Sequence, residues 1–289
     1  MNNHLEVEQI TVISFAHHKG GTGKTTSCIN IAGFLVKSGN KVLVVDVDPQ
    51  ANATSGLGVD PSAVRASIYD LFMSVFPGNP QMTVTDIIQT TKSGVDLIPS
   101  SLELVGAEPF LYTREDRTMI LRHFLEPLKD RYDFILVDTP PSMGQFVING
   151  LIASDHTVIT FDRGIFALHG LHTLMTIFSD IREVIGNRIT PELAILTRWD
   201  REPENIGGIR GFFSRLSRKE TPEKVRDEEL VKEFETEVRR YFNLVYPVPY
   251  SAEVYEAQKN GLPISHFAPD CPAGKAYAEI AGVVQKWKI

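Results

Sequence analysis

Apolar residues run along this chain in short β-rich bursts, separated by longer stretches in which they recur every three or four positions. The bursts predict strands over 10–15, 41–45, 95–98, 134–137, 157–161, 193–197 and 244–248. The 3.6-residue period predicts helices over 24–37, 116–130, 145–153 and 166–184. Strands alternating with helices from end to end specify an α/β fold, with a single doubly wound, mainly parallel sheet carrying helices on both faces. The bursts at 10–15 and 134–137 are nearly all apolar, as strands buried on both faces must be, so they are expected at the centre. No repeat and no Pro/Gly/Ser linker divides the pattern. The expectation is one domain over 1–289, with a charged insertion at about 201–233.

Composition narrows the function classes. The chain has 289 residues, 43% hydrophobic and 22% charged, an ordinary globular balance that excludes disordered and collagen-like classes. A net charge of -7, from 29 Lys+Arg against 36 Asp+Glu, means that binding to nucleic acid would need a local basic patch. Two cysteines, Cys28 and Cys271, cannot build a disulfide framework and suit a reducing compartment. No apolar run approaches the roughly 18 residues of a membrane span, and the first residues lack a signal-peptide pattern. A cytoplasmic location is expected, without an N-terminal helix-turn-helix. Cys28 falls within a predicted helix and reads as core. His169 and His172 share a helix face without nearby partners and read as surface or contact residues rather than metal ligands.

The decisive chemistry follows the first strand: Lys19-Gly20-Gly21-Thr22-Gly23-Lys24-Thr25-Thr26. Glycines let backbone N–H groups curl around a phosphate, and the next helix aims its positive end at the same anion. Lys24 adds a cation, and the Thr25 hydroxyl suits Mg²⁺. The strict pattern G-x-x-x-x-G-K-[ST] fails because His18 occupies its first glycine position. What stands instead is a lysine-bearing variant, K-G-G-x-G-K-T-T. A dinucleotide fingerprint would need glycine where Thr26 stands. Further on, Asp138 ends a buried apolar strand, where a carboxylate is costly unless it meets a cation or donors. Asp46 and Asp48 lie just past the second strand, on the edge where open α/β sheets bind ligands.

With these segments the chain resembles the Soj/ParA family of partition ATPases, in the wider group that includes the septum-site ATPase MinD. The resemblance spans nearly the whole length. Besides the loop it rests on Val45-Asp46-Val47-Asp48-Pro49-Gln50-Ala51-Asn52, on Tyr132-Asp133-Phe134-Ile135-Leu136-Val137-Asp138-Thr139-Pro140-Pro141-Ser142, and on Ala167-Leu168-His169-Gly170-Leu171. It implies a P-loop NTPase fold, ATP and Mg²⁺ as cofactors, and hydrolysis that is slow until a ParB-like adaptor stimulates it. It implies that Gly20 to Thr26 hold the phosphates, that Thr25 and Asp138 serve the metal, that Asp46 supports the metal and the loop geometry, and that Asp48 positions the attacking water. Gln50 and Asn52 would belong to one switch loop, and 139–142 to a second. It implies that Lys19 crosses to the nucleotide of a partner subunit, making ATP the glue of a homodimer. Pro249 and Tyr250 would pack near the adenine.

Two departures bear on cargo. Relatives carry arginines after the last strand to grip DNA phosphates, whereas this chain has Tyr250 and Glu253 there. In compensation, the insertion sets Ile209, Phe212, Phe213 and Leu216 at helical spacing, with Arg210, Arg215, Arg218 and Lys219 between them. Gly207, Gly208 and Gly211 weaken an isolated helix. Three readings stay open: an amphipathic face packed on its own domain, a non-specific DNA contact that would make the protein nucleoid-associated, or a membrane-surface segment. The expected function is segregation or positioning of DNA. The alternatives are a MinD-like membrane-associated regulator, a positioner of a protein cargo, and last a metabolic phosphoryl-transfer enzyme.

Overall fold

The computed structural model describes residues 10–162, 167–185, 191–200 and 222–288. Within them runs one sheet of eight strands in the order β3-β4-β2-β5-β1-β6-β7-β8. The strands are β1 (Thr11–Ala16), β2 (Val42–Asp46), β3 (Gln89–Thr90), β4 (Asp96–Ile98), β5 (Phe134–Asp138), β6 (His156–Asp162), β7 (Pro191–Thr197) and β8 (Leu244–Val248). All pairings are parallel except that of β3 with β4. As the apolar runs require, β5 and β1 lie side by side in the middle. The short antiparallel β3 has no sequence signature, because two residues carry no period.

Side-chain alternation divides the core. Val42 and Val44 of β2 and Phe134 and Leu136 of β5 enter a cluster on one face of the sheet. Leu43, Val45, Ile135 and Val137 enter a second cluster on the other. The first face is covered by α1 (Lys24–Lys37), which buries Cys28, Ile29, Ile31 and Leu35. The helix α2 (Asn52–Gly56) adds Ala53 to that same cluster, and the second face is covered by the short helices α3 (Ile68–Met73), α4 (Glu108–Leu111) and α5 (Ile120–Leu125), which supply Leu71, Leu111 and Leu121. Next come α6 (Gln145–Ala153), α7 (Ala167–Ile185) and α8 (Pro222–Tyr241), the last burying Phe234 and Val238 against Phe161. The chain closes with α9 (Ala252–Lys259), α10 (Ile264–Phe267) and α11 (Pro272–Val284), which returns to α1 through Tyr277 and Ile280.

The helix expected over 116–130 is shortened to Ile120–Leu125, followed by a 3-10 turn over Glu126–Leu128. Pro127 has no N–H to donate and its ring crowds the preceding turn, while Asp116 is held by Arg114 at 2.7 Å before the helix begins. No helix among the described residues is long and apolar enough to cross a membrane. Of the expected insertion, 201–221 lies outside the described residues, and so do Arg210, Arg215, Arg218 and Lys219. His172 meets Glu237 of α8 at 3.4 Å, a helix-to-helix contact, while the side chain of His169 lies outside those described.

Candidate active site

Strand order creates the site. With β5 between β2 and β1, Asp46 pairs in register with Asp138, and Asp138 with Phe15. The ends of these three strands therefore deliver the phosphate loop, the Asp46–Asp48 segment and Asp138 to one edge. Gly21 and Gly23 adopt φ of 76° and 91°, a left-handed backbone that side chains resist, and a Cβ at Gly23 would meet Thr197 Cγ2 at 2.8 Å. Gly23 caps α1 without any side-chain acceptor, and the first turn contains no acid. The N-terminal amides of the helix are thus left for an anion.

Lys24 is buried, and its Nζ donates to the carbonyl of Lys19 at 3.3 Å. Burial pulls its pKa down, while the charges of Asp138 and Asp48 pull it back up. Thr25 Oγ1 donates to Asp138 Oδ2 at 2.7 Å, which leaves the hydroxyl lone pairs free for a cation. Asp138 Oδ1 is buried with no hydrogen-bond partner, and burial together with neighbouring Asp46 pushes this carboxyl well up against the pull of Thr25 and Lys24. A buried acceptor left open beside a hydroxyl of this orientation fits a hydrated divalent cation, which would satisfy the oxygen and favour the carboxylate. Thr25 and Asp138 are the residues that would hold it.

Asp46, expected to support the metal and the loop geometry, is engaged with the loop. Its Oδ1 accepts from the Asp48 amide at 3.1 Å, and its Oδ2 accepts from both the amide (2.8 Å) and the hydroxyl (2.7 Å) of Thr54. Thr54 Oγ1 in turn accepts from the Ser100 amide at 2.9 Å. Burial pushes Asp46 up to about 7, against the donors that favour its charged form. These contacts brace the loop. Asp48 itself faces the cleft, with Oδ1 accepting from the Gln50 amide at 2.9 Å. That amide is the contribution of Gln50; its side chain does not line the cleft, whereas Asn52 does. Ala51 between them has a left-handed backbone, φ 52°.

A cleft of about 750 Å³ joins the phosphate loop to the far end of the sheet, where it reaches Pro249 and Tyr250. Thr26 lines it and its Oγ1 accepts from Gln258 Nε2 at 3.1 Å. Thr22 belongs to the expected loop through its backbone rather than its side chain. Its side chain is buried against Thr160 at 3.0 Å, and its carbonyl accepts from Thr197, so it shapes the loop without lining the cleft. Lys19 is another residue off the lining. Its Nζ lies 3.6 Å from Asp162 with half of the side chain exposed, and its amide donates to His17 Nδ1 at 2.9 Å. Burial, with His18, Lys24 and Lys19 nearby, lowers His17 to about 3, so it stays a neutral acceptor.

A family model described as an AAA domain matches residues 10–192. The sporulation initiation inhibitor protein Soj of Bacillus subtilis is 33% identical, over 93% of this chain and 96% of its own length. The chain belongs to the Soj/ParA family of ATPases. The chromosome-partitioning ATPase Soj of Treponema pallidum is 34% identical, over 92% of this chain and 94% of its own. Among solved structures, cobyrinic acid a,c-diamide synthase from Mycobacterium smegmatis, with a bound ATP analogue and magnesium, superimposes with a TM-score of 0.73 at 24% identity, over 96% of each chain. At that identity the likeness shows a shared P-loop NTPase architecture.

In this Soj/ParA ATPase some cleft residues have no sequence signal of their own. Gln258 and Tyr255 sit on α9 and reach the cleft because that helix follows β8. Arg198, with φ 53°, donates to the Gly21 carbonyl at 2.8 Å and lies 3.4 Å from Asp162. Its guanidinium braces the phosphate loop from the end of β7. Asp162 thus collects Lys19 and Arg198 together.

Proposed function

We propose that this ATPase is an ATP-driven dimerisation switch that segregates or positions DNA. ATP with Mg²⁺ would occupy the cleft, with its phosphates on the Gly20–Thr26 loop and Lys24 and its base toward Pro249 and Tyr250. Thr25 and Asp138 would hold the metal, which when bound supplies positive charge to the phosphate oxygens. Asp48 orients and polarises the attacking water, while Asp46 keeps Asp48 in place through Thr54 and Ser100.

The observation that carries the dimer reading is the position of Lys19. This loop lysine is half exposed, stands outside its own cleft, and is held by a carboxylate 3.6 Å away. Such an exposed pair costs little to exchange. A lysine so placed suits the phosphates of a second copy, where it neutralises charge that develops on hydrolysis. Loss of the γ-phosphate then weakens the dimer, which makes hydrolysis the timer and gives a ParB-like adaptor its point of action.

The DNA reading is supported by relatives named for chromosome partition and by the arginines of the insertion. In light scattering with magnesium and a non-cleavable ATP analogue, the mass is expected to double, and a persistent monomer ends the dimer reading. Duplex DNA of arbitrary sequence should be retained by that analogue-bound form and released by ADP. Replacing Arg210, Arg215 and Arg218 together by Ala should remove the binding and flatten its salt dependence by about one unit for each phosphate that is no longer neutralised. Undiminished DNA binding by the triple variant places the DNA-binding surface elsewhere. ATP-dependent sedimentation with anionic liposomes instead of DNA would favour the membrane alternative.

A further inference from the structure

We infer that Glu108 is a positioning residue for ATP hydrolysis, holding the loop over 139–144 in place above the phosphate loop. The inference rests on the reading of that loop as the second switch. Glu108 opens α4, a separate element from any that lines the cleft. Its Oε1 accepts from the backbone amide of Gln145 at 2.8 Å, across 37 residues of chain. Gln145 is the first residue of α6, whose first turn has no acid and whose cap, Gly144, has no side chain to offer. The free amide of that helix is therefore satisfied from outside, by a carboxylate that also matches the positive helix end. A Cβ at Gly144 would lie 2.1 Å from the same Oε1, so the approach of the carboxylate requires glycine there.

The intervening loop is pinned at both ends and touches the site between them. At its start, Asp138 accepts from Thr25, and Thr139 Oγ1 donates to the Phe15 carbonyl at 2.7 Å. In its middle, Pro141 lines the cleft and stands 3.7 Å from where a Cβ of Gly20 would be. At its end is the Glu108 bond. A short segment fixed at one terminus only can tilt about it. The second anchor decides how closely Pro141 approaches the phosphates and what space remains for water. Glu108 is half-buried, and the neighbouring Leu102, Val105 and Phe110 are exposed, so its side chain can be altered without opening a core cavity.

The test compares Glu108→Ala and Glu108→Gln in the full chain, with Asp60→Ala as a control. Asp60 caps a remote surface turn through the Ser62 amide at 2.9 Å. Steady-state hydrolysis of Mg-ATP, chemical denaturation and amide exchange over 139–146 are the readouts. The expected result for Glu108→Ala is a kcat lower by about tenfold with KM nearly unchanged, the loss of one charge-assisted bond acting on the transition state. Faster exchange should spread from Gln145 through the loop. Glu108→Gln keeps an acceptor at the same reach and should restore most of kcat. Asp60→Ala should leave kcat alone. A wild-type kcat in Glu108→Ala, exchange changes confined to Gln145, or rates that follow stability in all three variants would overturn the inference. The switch reading fails separately, as unchanged exchange over 139–144 in the wild type when the ATP analogue is added.

Discussion

Lys24→Ala is expected to weaken ATP binding about 100-fold, close to ~3 kcal/mol, in titration calorimetry with magnesium present. The magnitude follows from where the ammonium sits. It is buried at the foot of α1, between two carboxylates and a row of uncapped amides, and its hydrogen bond goes to the carbonyl of Lys19. Bound phosphates offer several charged acceptors in place of that single neutral carbonyl, so exchange of partners is strongly favourable. The variant keeps the helix, since Ala is the best helix former, and keeps the Thr25 bond to Asp138. The change should therefore fall on affinity and leave the fold intact. Affinity within a few-fold of wild type would show that the amides alone hold the phosphates and would remove Lys24 from the site.

Asp48→Ala is expected to separate binding from chemistry. Its carboxylate lines the cleft but anchors nothing except the Gln50 amide, because the loop is braced independently by Asp46, Thr54 and Ser100. Nucleotide affinity should change little, while the single-turnover rate should fall at least about 100-fold, the usual contribution of a group that accepts or orients the proton of attacking water. In light scattering the ATP-loaded variant should stay dimeric long after the wild type has returned to monomer. Normal turnover by this variant, with or without an adaptor, would show that another group handles the water. The pair of substitutions is informative together: a loss of binding in Lys24→Ala and a loss of turnover in Asp48→Ala locate the two halves of one reaction at the ends of β1 and β2, the two strands that flank β5.

The bracing network also distinguishes two acidic residues that lie close together in the chain. Asp46 and Asp48 are two apart on the same segment, and the family resemblance implies water positioning for Asp48 and support of metal and loop geometry for Asp46. Their difference comes from Thr54, on a helix that packs under the strand end and spends both donors on Asp46. No pattern in 46–54 announces that choice. Thr22 likewise belongs to the phosphate motif by position, and only the fold decides that its hydroxyl turns to Thr160 of β6. The expected helix over 116–130 is shortened for a local reason visible in the chain, the proline at 127, which outweighs an otherwise sound apolar period.

What the sequence determined by itself is whatever depends on neighbours along the chain. Strands over 10–15 and 134–137 follow from unbroken apolar runs, α1 from its period, and the phosphate loop from glycines whose backbone freedom and helix junction are local properties. What only the tertiary structure decided is which distant groups meet. Thr25 reaches Asp138 across 113 residues, Glu108 reaches Gln145 across 37, and Lys19 finds Asp162 rather than its own cleft. These meetings follow from the order β2-β5-β1-β6, which is set by how strands pair and bury their two faces. Pairing energy depends on residues far apart in the chain, and hydrophobic periodicity records only which face a residue takes.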